Sequence, residues 1–258
     1  MQESAIQTMM QAAGALKKPV RLILFVNDVG CGTCAEARQA AQAIKKNAPL
    51  VALEIYDQVM DRDKTQLYGI KRVPAMVVQD NDGHTVVFYG LLEDVFFSIL
   101  IDTLHAASEK RAWFPADIRS TLRHLARTVP IQVFVETDCP LCRPVAQTAI
   151  GLAMENTLVG TEIIIASEYP ELIRKYSMKT LPKTIFGENL HMDGHVTEGE
   201  FLEMIFQAEG LQPGKDRRCL VCSNPSEDII CTSCKTRIQA ESLTHKIREE
   251  RSRQMSSS

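Results

Sequence analysis

The sequence has neither a long apolar run nor a strong net charge. Its longest apolar stretch, residues 91–104, is interrupted by three acidic residues and is too polar to cross a bilayer. A formal net charge of -3 gives no general attraction to nucleic acid or to anionic membranes. The N-terminal stretch is polar and ends in Lys17-Lys18, the reverse of the charge order in a signal peptide. We therefore expect a cytoplasmic protein with no membrane or nucleic-acid partner.

The sequence also lacks a dinucleotide motif and an isolated cysteine. Because no Gly-x-Gly-x-x-Gly pattern is present, we expect no cofactor-binding residues for a nucleotide, and electrons would have to come from a partner. All eight cysteines fall into four Cys-x-x-Cys pairs, and none is left over as an obvious structural disulfide partner. In a chain without an export signal, this usage favours redox or metal chemistry.

One pair, Cys139-Pro-Leu-Cys142, lies between an apolar run at residues 131–135 and a helical pattern at residues 145–156. A strand-to-helix turn places the first sulfur at a helix N-terminus, where unpaired N–H groups and the macrodipole stabilise a thiolate. That thiolate is the nucleophile, and the second cysteine resolves the mixed disulfide. We interpret Cys139 and Cys142 as a redox dithiol, called dithiol 2 below.

The same arrangement occurs earlier in the chain. Cys31-Gly-Thr-Cys34, called dithiol 1, follows an apolar strand at residues 20–26 and opens a helix at residues 35–48. The first cysteines are 108 residues apart (139 − 31 = 108), and so are Pro74 and Pro182 (182 − 74 = 108). The sequence therefore contains an internal repeat at the scale of a domain.

Each repeat has the predicted order α-βαβα-ββα, which is typical of a mixed sheet with helices on both faces. The first helix is predicted at residues 2–16, and the last turn of the second repeat near Asp193-Gly194. We expect three parts: residues 1–112, residues 113–212, and a C-terminal segment at residues 213–258.

Four segments carry a specific resemblance: Val133-Phe-Val-Glu-Thr-Asp-Cys-Pro-Leu-Cys142, Ala153-Met-Glu-Asn-Thr157, Glu168-Tyr-Pro170 and Leu181-Pro-Lys183. Through them, residues 1 to about 211 resemble the protein disulfide oxidoreductases of archaea and bacteria, which are glutaredoxin-like proteins with two fused thioredoxin units. The resemblance implies an α/β chain of two tandem thioredoxin-like folds. It also implies an enzyme that reduces, forms or isomerises protein disulfides, with a flavin-dependent thioredoxin reductase as electron donor.

The same resemblance implies roles for single residues. Cys31 and Cys139 match the attacking thiols, and Cys34 and Cys142 match the resolving thiols. Pro74 and Pro182 match the cis-prolines that face each dithiol, although most X-Pro bonds are trans and both could be ordinary loop prolines. The chain departs from the family at Leu141, where tyrosine is usual, at Arg143-Pro144, and in its last forty-odd residues.

Other readings of the dithiols remain open. The two pairs could form one four-cysteine metal site, although a metal site does not require a strand, helix and proline for each pair. One unit could be catalytically silent and only position the substrate. We expect dithiol 2 to be the more reactive pair. Pro140 stiffens its turn and Arg143 adds positive charge, whereas Asp138 raises the pKa of Cys139 and partly cancels these effects. The family resemblance, which points to the second unit, decides the choice.

The C-terminal segment contains Cys219-Leu-Val-Cys222 and Cys231-Thr-Ser-Cys234, which offer four soft ligands suited to one tetrahedral zinc ion. This segment is too small for a core of its own, so a metal would supply the folding energy. Iron of rubredoxin type and further redox dithiols are the alternatives. The zinc-ribbon-like segment also raises a rival hypothesis, namely an interaction or redox-sensing adaptor protein without turnover.

Two other features are ambiguous. The charged helix at residues 235–253 resembles a nucleic-acid arm, but it has no aromatic residue to stack on bases, which favours a solvated helix. Phe25 and Val133 occupy the positions where thioredoxin has a buried acid, so the resolving thiols need another proton acceptor. Glu54 and Glu162, which are predicted to open equivalent strands, are candidates, although two solvent-facing strand ends are at least as good an interpretation.

Overall fold

The computed structural model describes residues 16–91, 94–109, 113–214 and 217–256. The helix predicted at residues 2–16 falls almost entirely outside the described residues. Within the described ranges, no helix has the length and apolarity needed to cross a bilayer.

The described elements repeat the predicted order. The first unit consists of β1 Val20–Val26, α1 Cys34–Asn47, β2 Val51–Asp57, α2 Arg62–Leu67, β3 Ala75–Gln79, β4 Thr85–Tyr89 and α3 Asp94–Glu109. The second unit consists of α4 Ala116–Leu122, β5 Val129–Val135, α5 Cys142–Glu155, β6 Val159–Ile165, a 3-10 turn Ala166–Glu168, α6 Pro170–Lys175, β7 Lys183–Phe186, β8 Leu190–Asp193 and α7 Glu198–Glu209. A long helix, α8 Thr232–Ser256, follows the last four cysteines.

The last hairpin differs in detail from the prediction. Its turn begins at Gly187, which has a left-handed φ of +63°, and β8 occupies the residues up to Asp193. Asp193-Gly194 is a stronger turn signal in the sequence than Gly187-Glu188. In the structure that dipeptide ends β8 and leads the chain toward α7, where Gly194 donates its N–H to the carbonyl of Pro182 at 2.7 Å.

All eight strands form one continuous sheet in the order β2-β1-β3-β4-β6-β5-β7-β8. The two units meet at β4 and β6, which pair in parallel with Phe88 opposite Ile163. Strands β1, β4, β6 and β5 run in one direction, whereas β3 and β7 run in the other. The chain therefore leaves β1 and β5 at the same edge of the sheet, called the dithiol edge below.

Both faces of this sheet are covered, which explains why its inner strands are almost continuously apolar. On one face, Leu22 and Leu24 join the core formed with α1, α3, α5 and α7. On the other face, Ile23 and Phe25 pack in a second core that includes Leu172 of α6. Each fully buried side chain of this size contributes about 1.5–3 kcal/mol.

The first core continues into the C-terminal segment. Ile229, Ile230 and Ile238 are fully buried and belong to the same apolar cluster as the helices of the second unit. Ion pairs join α8 to that unit: Lys235 with Glu203, Arg237 with Asp117, and Lys246 with Glu198. The segment is therefore packed on the second unit by both apolar and charged contacts.

Candidate redox and metal sites

Dithiol 1 lies in the turn between β1 and α1. Cys31 and Cys34 are joined by a disulfide with a Cα–Cα distance of 5.5 Å. Helix α1 begins at Cys34, so the buried second cysteine is the first helical residue and the half-buried Cys31 precedes it. The backbone N–H of Asn27 donates to Cys34 Sγ at 3.4 Å. Only the first sulfur of this pair is accessible to a second protein.

Dithiol 2 repeats this geometry between β5 and α5. Cys139 and Cys142 form a disulfide with a Cα–Cα distance of 5.3 Å. Cys142 is fully buried and begins the helix, whereas Cys139 is half-buried. The N–H of Cys142 donates to the carbonyl of Cys139 at 3.1 Å, which closes the turn. Each dithiol thus combines an accessible first sulfur with a buried second one.

Pro74 and Pro182 both follow cis peptide bonds, as predicted. Pro74 directly precedes β3, whose first residue Ala75 pairs with Phe25 near the end of β1. Pro182 directly precedes β7, whose first residue pairs with Phe134 near the end of β5. Both prolines therefore lie at the dithiol edge, beside the strand that leads into their own dithiol.

The two dithiols share one edge and one face of the sheet. Cys34 and Cys142 both belong to the core that contains α1 and α5. Between β1 and β5 lie β3, β4 and β6, so the two sites are four strand spacings, or about 19 Å, apart. A single four-cysteine metal site made from both pairs is excluded by this separation.

Glu54 and Glu162 are not placed to serve the resolving thiols. Glu54 pairs with Ile23, so strand alternation puts it on the sheet face opposite to dithiol 1. Its carboxylate accepts hydrogen bonds from Arg21 at 2.9 Å and Tyr56 at 2.7 Å. Burial opposes ionisation there, but these bonds outweigh it and lower the pKa of Glu54.

Glu162 also lies on the far face, opposite Val87. It accepts hydrogen bonds from Lys71 at 2.7 Å and from Gln132 at 2.6 Å. Both acids therefore form ion pairs on the face away from the dithiols. They lie in the middle of β2 and β6, with side chains that are 30% and 12% exposed, so the alternative of two solvent-facing strand ends is also wrong. The described residues place no carboxylate at the positions of Phe25 and Val133, which are buried in the two cores.

The surroundings of dithiol 2 include a contact between the two units. Arg143, next to Cys142, donates to the Asp102 carboxylate of α3 at 2.6 Å, and Gln147 donates to the same carboxylate at 2.9 Å. The positive charge that the sequence predicts beside dithiol 2 is therefore paired with an acid from the first unit. No local sequence pattern indicates this contact, because Asp102 is 41 residues before Arg143.

The C-terminal cysteines converge. The four-cysteine cluster consists of Cys219, Cys222, Cys231 and Cys234, whose sulfurs lie within 4.8 Å of one another. Cys219 and Cys234 are buried, and the sulfurs of Cys222 and Cys231 are 3.8 Å apart. The N–H of Cys231 donates to Cys219 Sγ at 3.4 Å. Four soft donors with N–H bonds to sulfur fit a thiophilic metal ion.

The thiols of this cluster differ in acidity. Burial opposes ionisation of Cys219, but hydrogen bonds from the backbone N–H groups of Cys231, Cys222 and Val221 outweigh it and lower its pKa to about 7. Burial raises the pKa of Cys234, and hydrogen bonds with Cys222 and the other thiols raise it further. Metal binding would replace the shared protons with one cation.

A second group of possible ligands, Asp80, Asp82 and His84, lies at the β3–β4 turn. Asp80 Oδ1 accepts the N–H groups of Asp82 and His84, both at 2.9 Å, and Asp80 Oδ2 is 2.9 Å from His84 Nδ1. The Asp80 carboxylate is thus used to hold the turn.

The second unit matches a known family. Residues 129–207 match the family described as Thioredoxin domain. This range begins with β5 and ends within α7, so it contains dithiol 2 and Pro182. The second unit is therefore similar to thioredoxin domains over these residues. A comparison of the sequence with curated proteins gives no match.

Solved structures match both units. A protein disulfide oxidoreductase from Aeropyrum pernix K1 has 23% identity and a TM-score of 0.73, over 81% of this chain and 94% of that chain. The NTD_N/C domain of alkylhydroperoxide reductase AhpF from Enterococcus faecalis has 21% identity and a TM-score of 0.72, over 80% of this chain and 99% of that domain. At these identities the likeness establishes the fold, and the predicted pair of tandem thioredoxin-like units is confirmed.

Proposed function

We propose that this chain, in which residues 129–207 match the thioredoxin-domain family, is a thiol–disulfide oxidoreductase that acts on protein disulfides. One observation supports this most directly. Each unit has a half-buried first cysteine and a buried second cysteine at disulfide distance, at the start of a helix and beside a cis-proline. This combination suits an attacking thiol and a resolving thiol.

In the proposed reaction, Cys31 or Cys139 is the attacking thiol. Its thiolate attacks one sulfur of a substrate disulfide, forming a mixed disulfide and releasing one substrate thiolate. Cys34 or Cys142 then attacks the first cysteine's sulfur and releases the second substrate thiolate. The two electrons of the dithiol thereby reduce one substrate disulfide, and its protons pass to the two product thiols. The reverse steps oxidise a substrate dithiol.

The cis-prolines complete the proposed substrate site. Pro74 and Pro182 directly precede β3 and β7 at the dithiol edge. Their position leaves the backbone of Val73 and Leu181 available to pair with an extended peptide, in the way an edge strand accepts another strand. We assign these prolines a substrate-positioning role.

A disulfide reduction assay tests the proposal. Reduced chain should reduce insulin disulfides with dithiothreitol as the electron source, and the quadruple variant Cys31→Ser/Cys34→Ser/Cys139→Ser/Cys142→Ser should fall to the rate of dithiothreitol alone. A control variant in the four-cysteine cluster, Cys222→Ser, leaves both dithiols in place. If the quadruple variant keeps the rate of the unmodified chain, the proposal is wrong.

For the electron donor, we propose a flavin-dependent thioredoxin reductase. The sequence has no dinucleotide motif of its own, and the resemblance to the two-unit oxidoreductases points to this donor class. Incubating oxidised chain with such a reductase and NADPH should consume NADPH and yield free thiols at the dithiols. Absence of thiols after full reduction of the reductase flavin would rule out that donor.

We also propose that the four-cysteine cluster holds one zinc ion, with iron as the alternative. Cys219, Cys222, Cys231 and Cys234 would be the ligands, and zinc would supply structural cross-linking. The donor set and the N–H bond to Cys219 Sγ support a thiophilic metal. We propose that the chain has three parts: two thioredoxin-like units at residues 1–112 and 113–212, and a C-terminal part at residues 213–258. The four-cysteine cluster belongs to the third part.

A redox-sensing adaptor is the second candidate function. The contact of 3.8 Å between the half-buried thiols Cys222 and Cys231 favours it, because peroxide could oxidise this pair to a disulfide and release the metal. Metal loss under peroxide, with no disulfide reduction by the untreated chain, would favour the sensor.

The use of all eight cysteines in pairs supports a reducing, cytoplasmic setting for either function.

A further inference from the structure

Arg72 of the first unit contacts the second unit with its side chain. Its guanidinium carbon lies 5.6 Å from the centroid of the Tyr169 ring and 5.9 Å from the centroid of the Tyr89 ring. Tyr89 ends β4, whereas Tyr169 directly precedes α6 of the second unit. The Glu171 carboxylate of α6 is 3.7 Å from Arg72 Nε. Because a cation within about 6 Å of an aromatic centroid is attracted by the ring, Arg72 joins the two units. We call these four residues the arginine clamp.

The centre of the arginine clamp is shielded from water. The Arg72 side chain is 23% exposed, and Tyr169 is 8% exposed. Arg72 Nη1 and the Tyr169 hydroxyl are both buried and make no hydrogen bond within the described residues. The contact between them is therefore that of a planar guanidinium with an aromatic ring, which is stronger when it is desolvated.

Lys71, next to Arg72, adds a second connection. Its Nζ donates to the Glu162 carboxylate of β6 at 2.7 Å. Its backbone N–H donates to the Tyr89 hydroxyl at 3.2 Å. Two consecutive residues of the first unit are thus fixed by side chains of the second unit and by the end of β4.

These fixed residues lead directly into the segment that positions the substrate. Val73 follows Arg72, and Pro74 follows Val73. The N–H of Gly90 donates to the Pro74 carbonyl at 3.3 Å, which holds the other end of the segment. Because peptide groups are planar and bond lengths are fixed, a shift of Arg72 also moves the peptide group of Val73. The position of the Val73 backbone therefore depends on the arginine clamp.

The second unit has different side chains at the equivalent positions. At the interval of the repeat, Lys179 matches Lys71 (179 − 71 = 108) and Thr180 matches Arg72 (180 − 72 = 108). Both Lys179 and Thr180 are exposed. A threonine carries no cation to place over an aromatic ring. The arginine clamp is therefore a feature of the loop beside dithiol 1 and has no counterpart at Thr180.

We propose that Arg72 is a positioning residue for dithiol 1, through which the second unit fixes the Val73 backbone that receives the substrate peptide. This inference rests on the proposed function. Arg72 acts through Val73 and takes no part in bond formation. Loss of the arginine clamp should therefore weaken the binding of a peptide substrate and leave the sulfur chemistry unchanged.

The exchange at dithiol 1 shows which step depends on Val73. The Cys31 thiolate displaces one sulfur of the substrate disulfide while the substrate backbone is paired with Val73. Cys34 then displaces the second substrate sulfur from Cys31 and leaves the Cys31–Cys34 disulfide. The two protons of the dithiol pass to the two substrate thiols. Only the first step requires a protein substrate to be aligned on Val73.

The test uses the full chain with dithiol 2 inactivated by Cys139→Ser and Cys142→Ser. Adding Arg72→Ala should raise the KM for insulin, with dithiothreitol as the electron source, by about fivefold and leave kcat within about twofold. Reduction of bis(2-hydroxyethyl) disulfide should keep its rate, because this small neutral disulfide has no peptide backbone to pair with Val73. That rate is measured as loss of thiols from pre-reduced chain after removal of dithiothreitol.

Conservative variants separate the ring contact from a general loss of structure. Tyr169→Phe keeps the ring and removes a hydroxyl that makes no hydrogen bond within the described residues, so the KM for insulin should not change. Tyr169→Ala should raise this KM as Arg72→Ala does. Arg174→Ala is the matched control, because it removes an exposed arginine of α6, and it should leave the KM unchanged.

The same Arg72→Ala substitution is also made in the chain with dithiol 1 inactivated by Cys31→Ser and Cys34→Ser. There the KM of dithiol 2 for insulin should not change, because Arg72 is not part of the loop that leads to Pro182. This result would also show that the substituted chain is folded.

The results separate this inference from the proposed function. If neither single-dithiol chain reduces insulin, the proposed function is wrong and the inference falls with it. If insulin is reduced and Arg72→Ala leaves the KM of dithiol 1 unchanged, Arg72 does not position the substrate and the function stands. Equal losses with insulin and with the small disulfide, or at both dithiols, would show a general structural effect and overturn the inference.

Discussion

At the scale of single residues, the position of a sulfur in the first helical turn decides its role. Cys34 and Cys142 begin their helices and are buried, so they are reached only from within the molecule. Cys31 and Cys139 precede the helices and remain accessible. Two residues separate the thiols of each pair: Gly32 and Thr33 in dithiol 1, and Pro140 and Leu141 in dithiol 2. These dipeptides are the sequence differences between the two sites that lie nearest to the sulfurs.

Dithiol 2 should react faster with a folded protein disulfide. Pro140 restricts the turn before α5, whereas Gly32 leaves its turn looser. The Asp102 carboxylate offsets the positive charge of Arg143, so this charge no longer distinguishes the two sites. The stiffer turn and the family resemblance remain as the reasons to expect the faster reaction at dithiol 2. Cys142→Ser should therefore accumulate mixed disulfides with a folded substrate faster than Cys34→Ser, measured by non-reducing electrophoresis. Equal or faster trapping by Cys34→Ser would reverse the assignment.

The loop that carries Val59 and Met60 should loosen in acid. Hydrogen bonds from the N–H groups of Met60 and Val59 lower the pKa of Asp57. Because the folded-state pKa is depressed, this stabilisation is present above the unfolded-state pKa and is lost as the pH falls through the folded-state value. The protection factors at Val59 and Met60, which compare the measured exchange rate with the intrinsic rate at the same pH, should therefore be constant from about pH 7 to 5 and fall in acid below about pH 4.

The matched variant for this prediction is Asp57→Asn. Its amide oxygen still accepts a hydrogen bond but carries no charge that titrates. Amide exchange at Val59 and Met60 should then no longer respond to protonation of residue 57. Only the intrinsic pH dependence of amide exchange should remain. If the protection factors of the unmodified chain follow those of Asp57→Asn at every pH, the Asp57 charge does not hold the loop.

At the scale of elements, close approach of backbones decides how the C-terminal helix is seated. A Cβ atom at Gly199 of α7 would lie 3.0 Å from Cα and 3.1 Å from Cβ of Lys235 in α8. The glycine thus allows α8 to approach α7, while the Lys235–Glu203 and Lys246–Glu198 ion pairs fix its direction. The Glu203 and Glu198 side chains in these pairs are only 13% and 9% exposed, so the cost of desolvating them offsets part of the attraction and the packing carries most of the contact.

Gly199→Ala should destabilise the packing of α8 against α7. The added methyl group raises helix propensity in α7 but meets backbone atoms of Lys235, which cannot move without shifting α8. We expect a net loss of about 1–2 kcal/mol of unfolding free energy by urea denaturation. Gly160→Ala is the control, because its Cβ would meet nothing nearer than Pro130 Cα at 4.0 Å. Stabilisation by Gly199→Ala would contradict the close approach.

At the scale of the whole molecule, the parallel pairing of β4 with β6 makes one sheet from two repeats. The Asp102–Arg143 pair and the Lys71–Glu162 pair cross the same junction. Glu168 of the second unit accepts the N–H of Leu91 from the first at 2.6 Å. The two dithiols are therefore held on one edge at a fixed separation of about 19 Å.

This separation should prevent direct exchange between the two sites within one molecule. A disulfide requires Cα atoms within about 7 Å of each other, so Cys31 and Cys139 cannot be joined without unfolding the junction. In the variant Cys34→Ser/Cys142→Ser, mild oxidation at low protein concentration should yield no intramolecular Cys31–Cys139 bond in peptide mapping. Denatured variant oxidised in the same way is the control, and a native cross-link in high yield would contradict the rigid sheet.

Metal removal should act on the second unit as well as on the ribbon. Ile229, Ile230 and Ile238 share the core of that unit, so loss of the cluster exposes surface that α7 also covers. We expect about one zinc ion per chain by elemental mass spectrometry, and a Tm lower by several degrees after chelation. Cys234→Ser should reproduce that loss. A metal content near zero in a chain whose ribbon remains folded would end the metal assignment.

The sequence alone was sufficient for the repeat, the fold and the cysteine pairs. Strand, turn, cysteine pair and helix are adjacent in sequence, so residues 131–156 define a redox turn by local patterning alone. The spacing that repeats at Cys31, Pro74, Cys139 and Pro182 predicted the tandem units, and the four-cysteine cluster followed from its ligand spacing. These features depend on neighbours within a few residues or on a repeated interval.

Only the tertiary structure decided which distant residues meet. Strand register puts Glu54 and Glu162 on the face away from the dithiols, because a side chain's face alternates at each residue and pairing partners are not visible in the sequence. The Asp102–Arg143 pair and the hydrogen bond from the Asp28 N–H to the Asp57 carboxylate likewise join segments that are far apart in the chain. Such contacts follow from how sheets and helices pack, which local sequence patterns do not specify.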